Sequence, residues 1–258
     1  RSACLSCNKQ LSWYDNIPII SWLALGGKCR HCHQRIGLAE FLSELGLGLS
    51  FLGLGWHFLY SNHAFTADIQ ANFPTISIMG WLIFIMVLLL TLSLGFLAIY
   101  DGLYGELPNF CLTISAICAI IIVILQTGNS FLVAGFFDGA PAGTAITPET
   151  IIGSAPAQTL IMSILSTVLF GGIYLVLYKV SRGKWVGDGD WLLAGIIGLA
   201  LGHPFLSLVA LFVANLSACL IMAPTIKGRK NHQIYFGPFL VFAFVIVYIF
   251  SDFFISVI

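Results

Sequence analysis

Apolar residues fall in long blocks along this chain, at about 41–60, 76–100, 109–126, 158–178, 191–202, 204–223 and 236–258, with polar residues gathered in the gaps. About 20 apolar residues suffice to cross a bilayer as a helix. The 191–202 block is too short to span alone at 1.5 Å rise per residue. It counts as a span if it tilts, thins the bilayer or continues into a shallow turn at His203-Pro204. The pattern predicts an all-α polytopic membrane helix bundle of about seven spans. Residues 1–40 are the one conventionally polar stretch. The expected organisation is therefore a small domain over 1–40 and a membrane-embedded domain over 41–258. Internal repeats are not evident.

Composition sharpens this picture. The 258 residues are 59% hydrophobic and 9% charged, against roughly 25% charged in soluble domains, and mean hydropathy is +0.97. An ordinary cytosolic enzyme and a disordered tail are excluded. Net charge is zero, and a nucleic-acid binder would carry a basic excess. The chain opens at Arg1-Ser2-Ala3-Cys4, with no initiator Met and no signal pattern, so an upstream span is expected.

Charge orients the bundle. Arg1, Lys9, Lys28, Arg30 and Arg35 precede the first block; Lys179, Arg182 and Lys184 follow the fourth; Lys227, Arg229 and Lys230 precede the last. Seven alternating spans put all of these on one side, and the opposite loops (61–75, 127–157, 203) carry no Lys or Arg. The positive-inside rule makes the basic side cytoplasmic. Without a span at 191–202 the 224–235 loop would fall outside. The 138–157 segment, rich in Gly, Ala, Pro and Thr, reads as a flexible external loop.

Cys4-x-x-Cys7 and Cys29-x-x-Cys32 form two knuckles. Each can put two thiolates on one tetrahedral ion, and together they complete a closed site. Cytoplasmic thiols stay reduced, which favours structural zinc over two disulfides or a redox pair. His31 and His33 are alternative ligands, but four thiolates suffice. Cys111, Cys118 and Cys219 lie within apolar blocks and read as small buried hydrophobes.

Acids at the edge of a membrane segment are functional candidates. Asp101 lies at the cytoplasmic end of the second block, and Gly187-Asp188-Gly189-Asp190 opens the fifth at the same depth. Two converging carboxylates cannot easily both ionise, so one holds a proton while the other takes one from water. That chemistry suits metal-free peptide hydrolysis, and the glycines allow close approach of an extended substrate. The alternative is that these acids merely sit in headgroup water and complement helix ends.

Together these pieces resemble the type IV prepilin peptidases, bifunctional leader peptidase/N-methyltransferases of bacterial pilus and type II secretion systems. The resemblance rests on Cys4-x-x-Cys7, Leu11-Ser12-Trp13-Tyr14-Asp15-Asn16-Ile17-Pro18, Ser21-Trp22 and Cys29-Arg30-His31-Cys32. It extends through Asp101 with Pro108-Asn109, the Gly187-x-Gly189-Asp190 motif and Phe236-Gly237-Pro238-Phe239-Leu240. It implies an eight-span fold in the bacterial inner membrane, with Asp101 and Asp190 catalytic and Gly187 and Gly189 in the catalytic loop. It implies cleavage of prepilin or pseudopilin leaders after a Gly at the cytoplasmic face, then methylation of the new N-terminus from S-adenosylmethionine. Leu192 stands where most members carry Lys, and Glu40-Phe41 replaces a common Tyr-Pro, whereas Glu44 keeps the acid that follows. Two other classes compete: a proton- or cation-coupled transporter or channel, with acids near the midplane, and a membrane-anchored zinc scaffold.

Overall fold

The computed structural model describes residues 2–4, 6–69, 74–137, 155–183, 186–226 and 235–256. Arg1, Lys184, Lys227, Arg229, Lys230, Asp138, Glu149 and most of the expected 138–157 loop lie outside the described residues. The chain divides into two compact units, Arg1–Gly53 and Leu54–Ile258. Among the described residues every regular element is helical, and extended backbone pairs only at two isolated bridges.

The first unit holds a 3-10 turn at Trp13–Asn16, a short helix α1 at Ile20–Ala24 and the start of α2, Leu38–Ile69. Its two knuckles repeat each other. The Cys4 N–H donates to the Lys9 carbonyl at 3.0 Å, and the Cys29 N–H to the Gln34 carbonyl at 2.8 Å. Each bond sits beside a bridge, Ala3 with Gln10 and Lys28 with Arg35. In each knuckle the residue after the second cysteine turns left-handed, Asn8 at φ 52° and His33 at φ 53°. These two N–H groups donate back to the carbonyls of Cys4 and Cys29. This local repeat was hidden because the equivalent side chains differ and only the backbone path is shared.

The insert between the knuckles is tied to the second one. Asp15, whose side chain is 2% exposed, accepts from Arg30 at 2.9 Å, and the Arg30 guanidinium lies 5.1 Å from the Tyr14 ring centre. Farther on, Ile19 has φ 64°, a strained value for a β-branched residue. Its N–H donates to the Glu44 carboxylate at 2.8 Å, and Trp22 stacks on Phe41 at 4.5 Å. Glu44 and Phe41 thus bind the insert to the first turns of α2.

The second unit is a helix bundle: α3 Pro74–Tyr104, α4 Asn109–Phe137, α5 Ala155–Ser181, α6 Asp190–Leu201, α7 Pro204–Ile226, α8 Gly237–Ile249 and α9 Ser251–Ile255. The expected single final span is broken at Phe250 into α8 and α9. Four helices among the described residues are long and apolar enough to cross a bilayer: Ile78–Tyr104, Asn109–Phe131, Pro156–Ser181 and Pro204–Met222. Asp190–Leu201 and Gly237–Ile249 are shorter apolar helices.

Helix α3 shows why the protein belongs in lipid. Its buried positions include Val87, Leu90, Leu94 and Leu97, and its exposed positions Leu82, Ile85, Leu89, Leu92 and Phe96 are equally apolar. A helix apolar on all sides needs an apolar surround. Within lipid, burying hydrocarbon gives no net drive to associate, so helices pack through small residues and interhelical hydrogen bonds. Helices α5 and α6 do this. A Cβ on Gly171 would lie 3.0 Å from the Gly195 Cα, and one on Gly198 would lie 2.8 Å from the Ser166 carbonyl oxygen. The Ser166 hydroxyl donates to the Gly198 carbonyl at 2.6 Å and pairs with Ser207 of α7. The short α6 packs against α4, α5, α7 and α8, so its 12 residues lie inside a shell of other helices. The chain is a multi-pass membrane protein.

Candidate functional site: a thiol cluster and two buried carboxylates

The Sγ atoms of Cys4, Cys7, Cys29 and Cys32 all lie within 4.8 Å of one another. Cys4 and Cys32 are 3.8 Å apart. A tetrahedral ion with Zn–S of about 2.3 Å requires sulfurs about 3.8 Å apart. The cluster can therefore hold a metal ion after small side-chain adjustments. Backbone N–H groups of Cys7 and Ser6 point at the Cys4 sulfur and, with the Cys29 thiol, pull its pKa down to about 6. A thiolate is the form a metal binds. His31 and His33 are exposed and are not members of the cluster. Of the other thiols, Cys118 is buried as expected, whereas Cys111 is only half-buried and Cys219 is exposed on α7. In lipid an outward position is also apolar, so sequence polarity could not separate the two faces.

The two candidate acids come from different places. Asp101 lies in the last turn of α3, which ends at Gly105 with φ 70°. It is 5% exposed, and its Oδ2 accepts the Gly237 N–H at 2.9 Å. Gly237 is the first residue of α8, so Asp101 occupies the anion position at a helix N-terminus. A Cβ on Gly237 would lie 2.7 Å from that same oxygen. Asp190 begins α6, is also 5% exposed, and takes the Gly187 N–H on Oδ2 at 2.9 Å. The Asp190 N–H returns to the Gly187 carbonyl at 3.3 Å, closing a reciprocal turn that fixes the carboxylate before the helix begins.

The GDGD turn and the end of α3 meet through Gly189. A Cβ there would lie 2.7 Å from Leu107 Cδ1 and 3.0 Å from Leu107 Cβ. The loop after Asp101 can therefore press against the turn that carries Asp190, and the two carboxylates are near enough to repel each other. Asp188 differs from Asp190. It is exposed and lies against the Tyr178 hydroxyl.

Comparison with known proteins adds to this geometry. Residues 1–58 match the bacterial peptidase A24 N-terminal domain. A prepilin leader peptidase/N-methyltransferase of Burkholderia pseudomallei is 28% identical over 246 residues, covering 93% of this chain and 64% of its own length. One of Bacillus subtilis is 25% identical over 258 residues, covering 99% of this chain and 84% of its own. The chain is thus similar to prepilin leader peptidase/N-methyltransferases over nearly its whole length. A member from Vibrio cholerae is 45% identical over 56 residues, 22% of each chain. The chain thus spans about two thirds or less of several curated relatives it matches. No solved structure matches.

Against the prepilin peptidase pattern, the structure gives a place to a motif that carried no role in the sequence. In Phe236-Gly237-Pro238-Phe239-Leu240 the glycine N–H is the partner of Asp101, and Pro238 sits in the first turn of α8, where no N–H is lost to the helix. The available signal was the Gly-Pro pair opening an apolar block. Glu44 holds the Ile19 backbone, and Leu192 is exposed.

Proposed function

We propose that this protein is an aspartic endopeptidase of the bacterial inner membrane that removes the leader peptides of type IV prepilins or pseudopilins. In this reading Asp101 and Asp190 are the catalytic pair, and Gly187 and Gly189 form the catalytic loop. Residues 1–40 are a cytoplasmic zinc domain and 41–258 the protease domain. One carboxylate accepts a proton from water as the water oxygen bonds to the carbonyl carbon. The other, protonated, gives its proton to the amide nitrogen as the C–N bond breaks. Cleavage follows a Gly at the cytoplasmic face, and the new N-terminus is methylated from S-adenosylmethionine. The described residues contain no strand–turn–helix of the kind that cradles a nucleotide, so methyl transfer rests on the family alone. Zinc, held by Cys4, Cys7, Cys29 and Cys32, would supply cross-linking of the N-terminal unit and no chemistry at the scissile bond.

The observation that carries this reading is a pair of buried acids, each with one oxygen held by a glycine N–H. A midplane acid serving a transporter would instead interrupt a helix, whereas Asp101 and Asp190 lie at helix ends. Purified protein in detergent should cleave a prepilin peptide after its glycine and release the leader. Intact peptide after prolonged incubation with folded, metal-loaded protein would overturn the assignment. The orientation has its own test. A cysteine placed at position 229 should resist an impermeant reagent added outside intact cells, and strong labelling there would reverse the topology.

A further inference from the structure

The register between α5 and α6 brings one more polar group to this centre. These antiparallel helices cross where Gly171 meets Gly195, and three residues farther along α6, Gly198 meets Ser166 and Phe170. Followed the other way, the same register sets the start of α6 opposite Tyr174 and Tyr178. Tyr178 faces Asp188, and Tyr174 lies within reach of the charge on Asp190.

Tyr174 is 2% exposed, yet its hydroxyl has no hydrogen-bond partner among the described residues. The Asn215 side chain approaches it, but not at the distance and angle of a hydrogen bond. The ring is held from two sides. Phe170 meets it edge-on at 5.6 Å, and Phe236 packs on it at 5.6 Å. Phe236 precedes the glycine whose N–H holds Asp101, so this one ring touches the neighbourhood of both acids. Leaving a buried hydroxyl unpaired is costly, and phenylalanine would fill the same volume without that cost. A fixed, unspent donor near Asp190, on a ring packed against the residue before Gly237, has a use where negative charge develops.

Resting on the aspartic-peptidase reading, we propose that the Tyr174 hydroxyl donates a hydrogen bond to the scissile carbonyl oxygen as that oxygen gains negative charge, making Tyr174 a catalytic residue beside Asp101 and Asp190. As the water oxygen bonds to carbon, the carbonyl π pair moves onto oxygen and the water proton passes to a carboxylate. Tyr174 keeps its own proton throughout. Such a donor stabilises the transition state more than the bound substrate, so its loss lowers kcat and leaves KM in place.

The test is Tyr174→Phe in the full chain, assayed in detergent on a prepilin peptide. The expected result is a kcat lower by about 100-fold with KM unchanged, while Tyr178→Phe keeps the parent kcat. Parent kcat in Tyr174→Phe, or a loss confined to KM, overturns the proposal. If the Phe variant does not fold, 3-fluorotyrosine at position 174 keeps the shape and alters only the donor; kcat must then change, and an unchanged kcat overturns the proposal. Failure here is distinct from failure of the underlying reading. With Asp101→Asn and Asp190→Asn inactive and Tyr174→Phe at parent kcat, only the role of Tyr174 falls. With either Asn variant fully active, the aspartic mechanism falls first.

Discussion

The thiol cluster and the carboxylate pair are assembled by opposite means. The thiols come from two knuckles within the first 32 residues, and each knuckle is closed by its own backbone hydrogen bonds. The carboxylates come from helices distant in the chain, and Asp101 is held by an N–H 136 residues away. What a local centre needs is a ligand to cross-link it, because little hydrophobic core surrounds it. What a long-range centre needs is helices that approach closely, and glycine provides that at positions 171, 189, 195, 198 and 237. The two should therefore fail differently.

The largest expected contrast is at the thiols. Cys4→Ser or Cys32→Ser should reduce bound zinc from one per chain to none, measured by elemental analysis of reduced protein, and should raise hydrogen exchange across residues 2–37. Metal binding supplies folding energy to such modules, while the helix bundle should keep its exchange protection. Peptidase activity should suffer less than methylation. Collapse of protection in α3 to α8 would show that the two regions are not separable in this way.

Next in size is Gly237→Ala. Its methyl would lie 2.7 Å from the Asp101 Oδ2 and push it aside, and displacement of a reacting group by about 1 Å costs on the order of 100-fold in rate. Zinc content should be unchanged. Full activity would mean that the Gly237 N–H does not set the position of Asp101. Gly189→Ala should act more weakly, through the clash with Leu107, and Leu107→Ala added to it should restore part of the lost cleavage. A double variant no better than the single one would remove that contact from the account.

The same contrast explains what was legible beforehand. Blocks of apolar residues announce spans by length alone, and paired Cys-x-x-Cys spacing announces a thiol cluster that can hold a metal ion, because both signals are local. The Gly-Asp-Gly-Asp run marks itself by its glycines at the start of an apolar block. The motif match points to Asp190 over Asp188, and of the two Asp190 is the buried one. The partner of Asp101 was not readable, since nothing near Asp101 in the chain points to Gly237. Nor was Tyr174 distinguishable from the other tyrosines at span ends, because its place depends on the glycine register between α5 and α6. The break at Phe250 leaves no mark in the sequence, as an unbroken apolar block looks the same whether its helix is continuous or not.

Cleavage of one prepilin peptide by three purified variants tests the central claim most directly. Asp101→Asn and Asp190→Asn should each lower the rate by at least about 1,000-fold, within the range for loss of a general acid or base. Asp188→Asn, exposed and beside Tyr178, should stay within a few-fold of the parent, roughly the scale of a surface change. An inactive Asp188→Asn with an active Asp190→Asn would mean that the wrong acid of the turn has been chosen, and three active variants would contradict the aspartic mechanism itself.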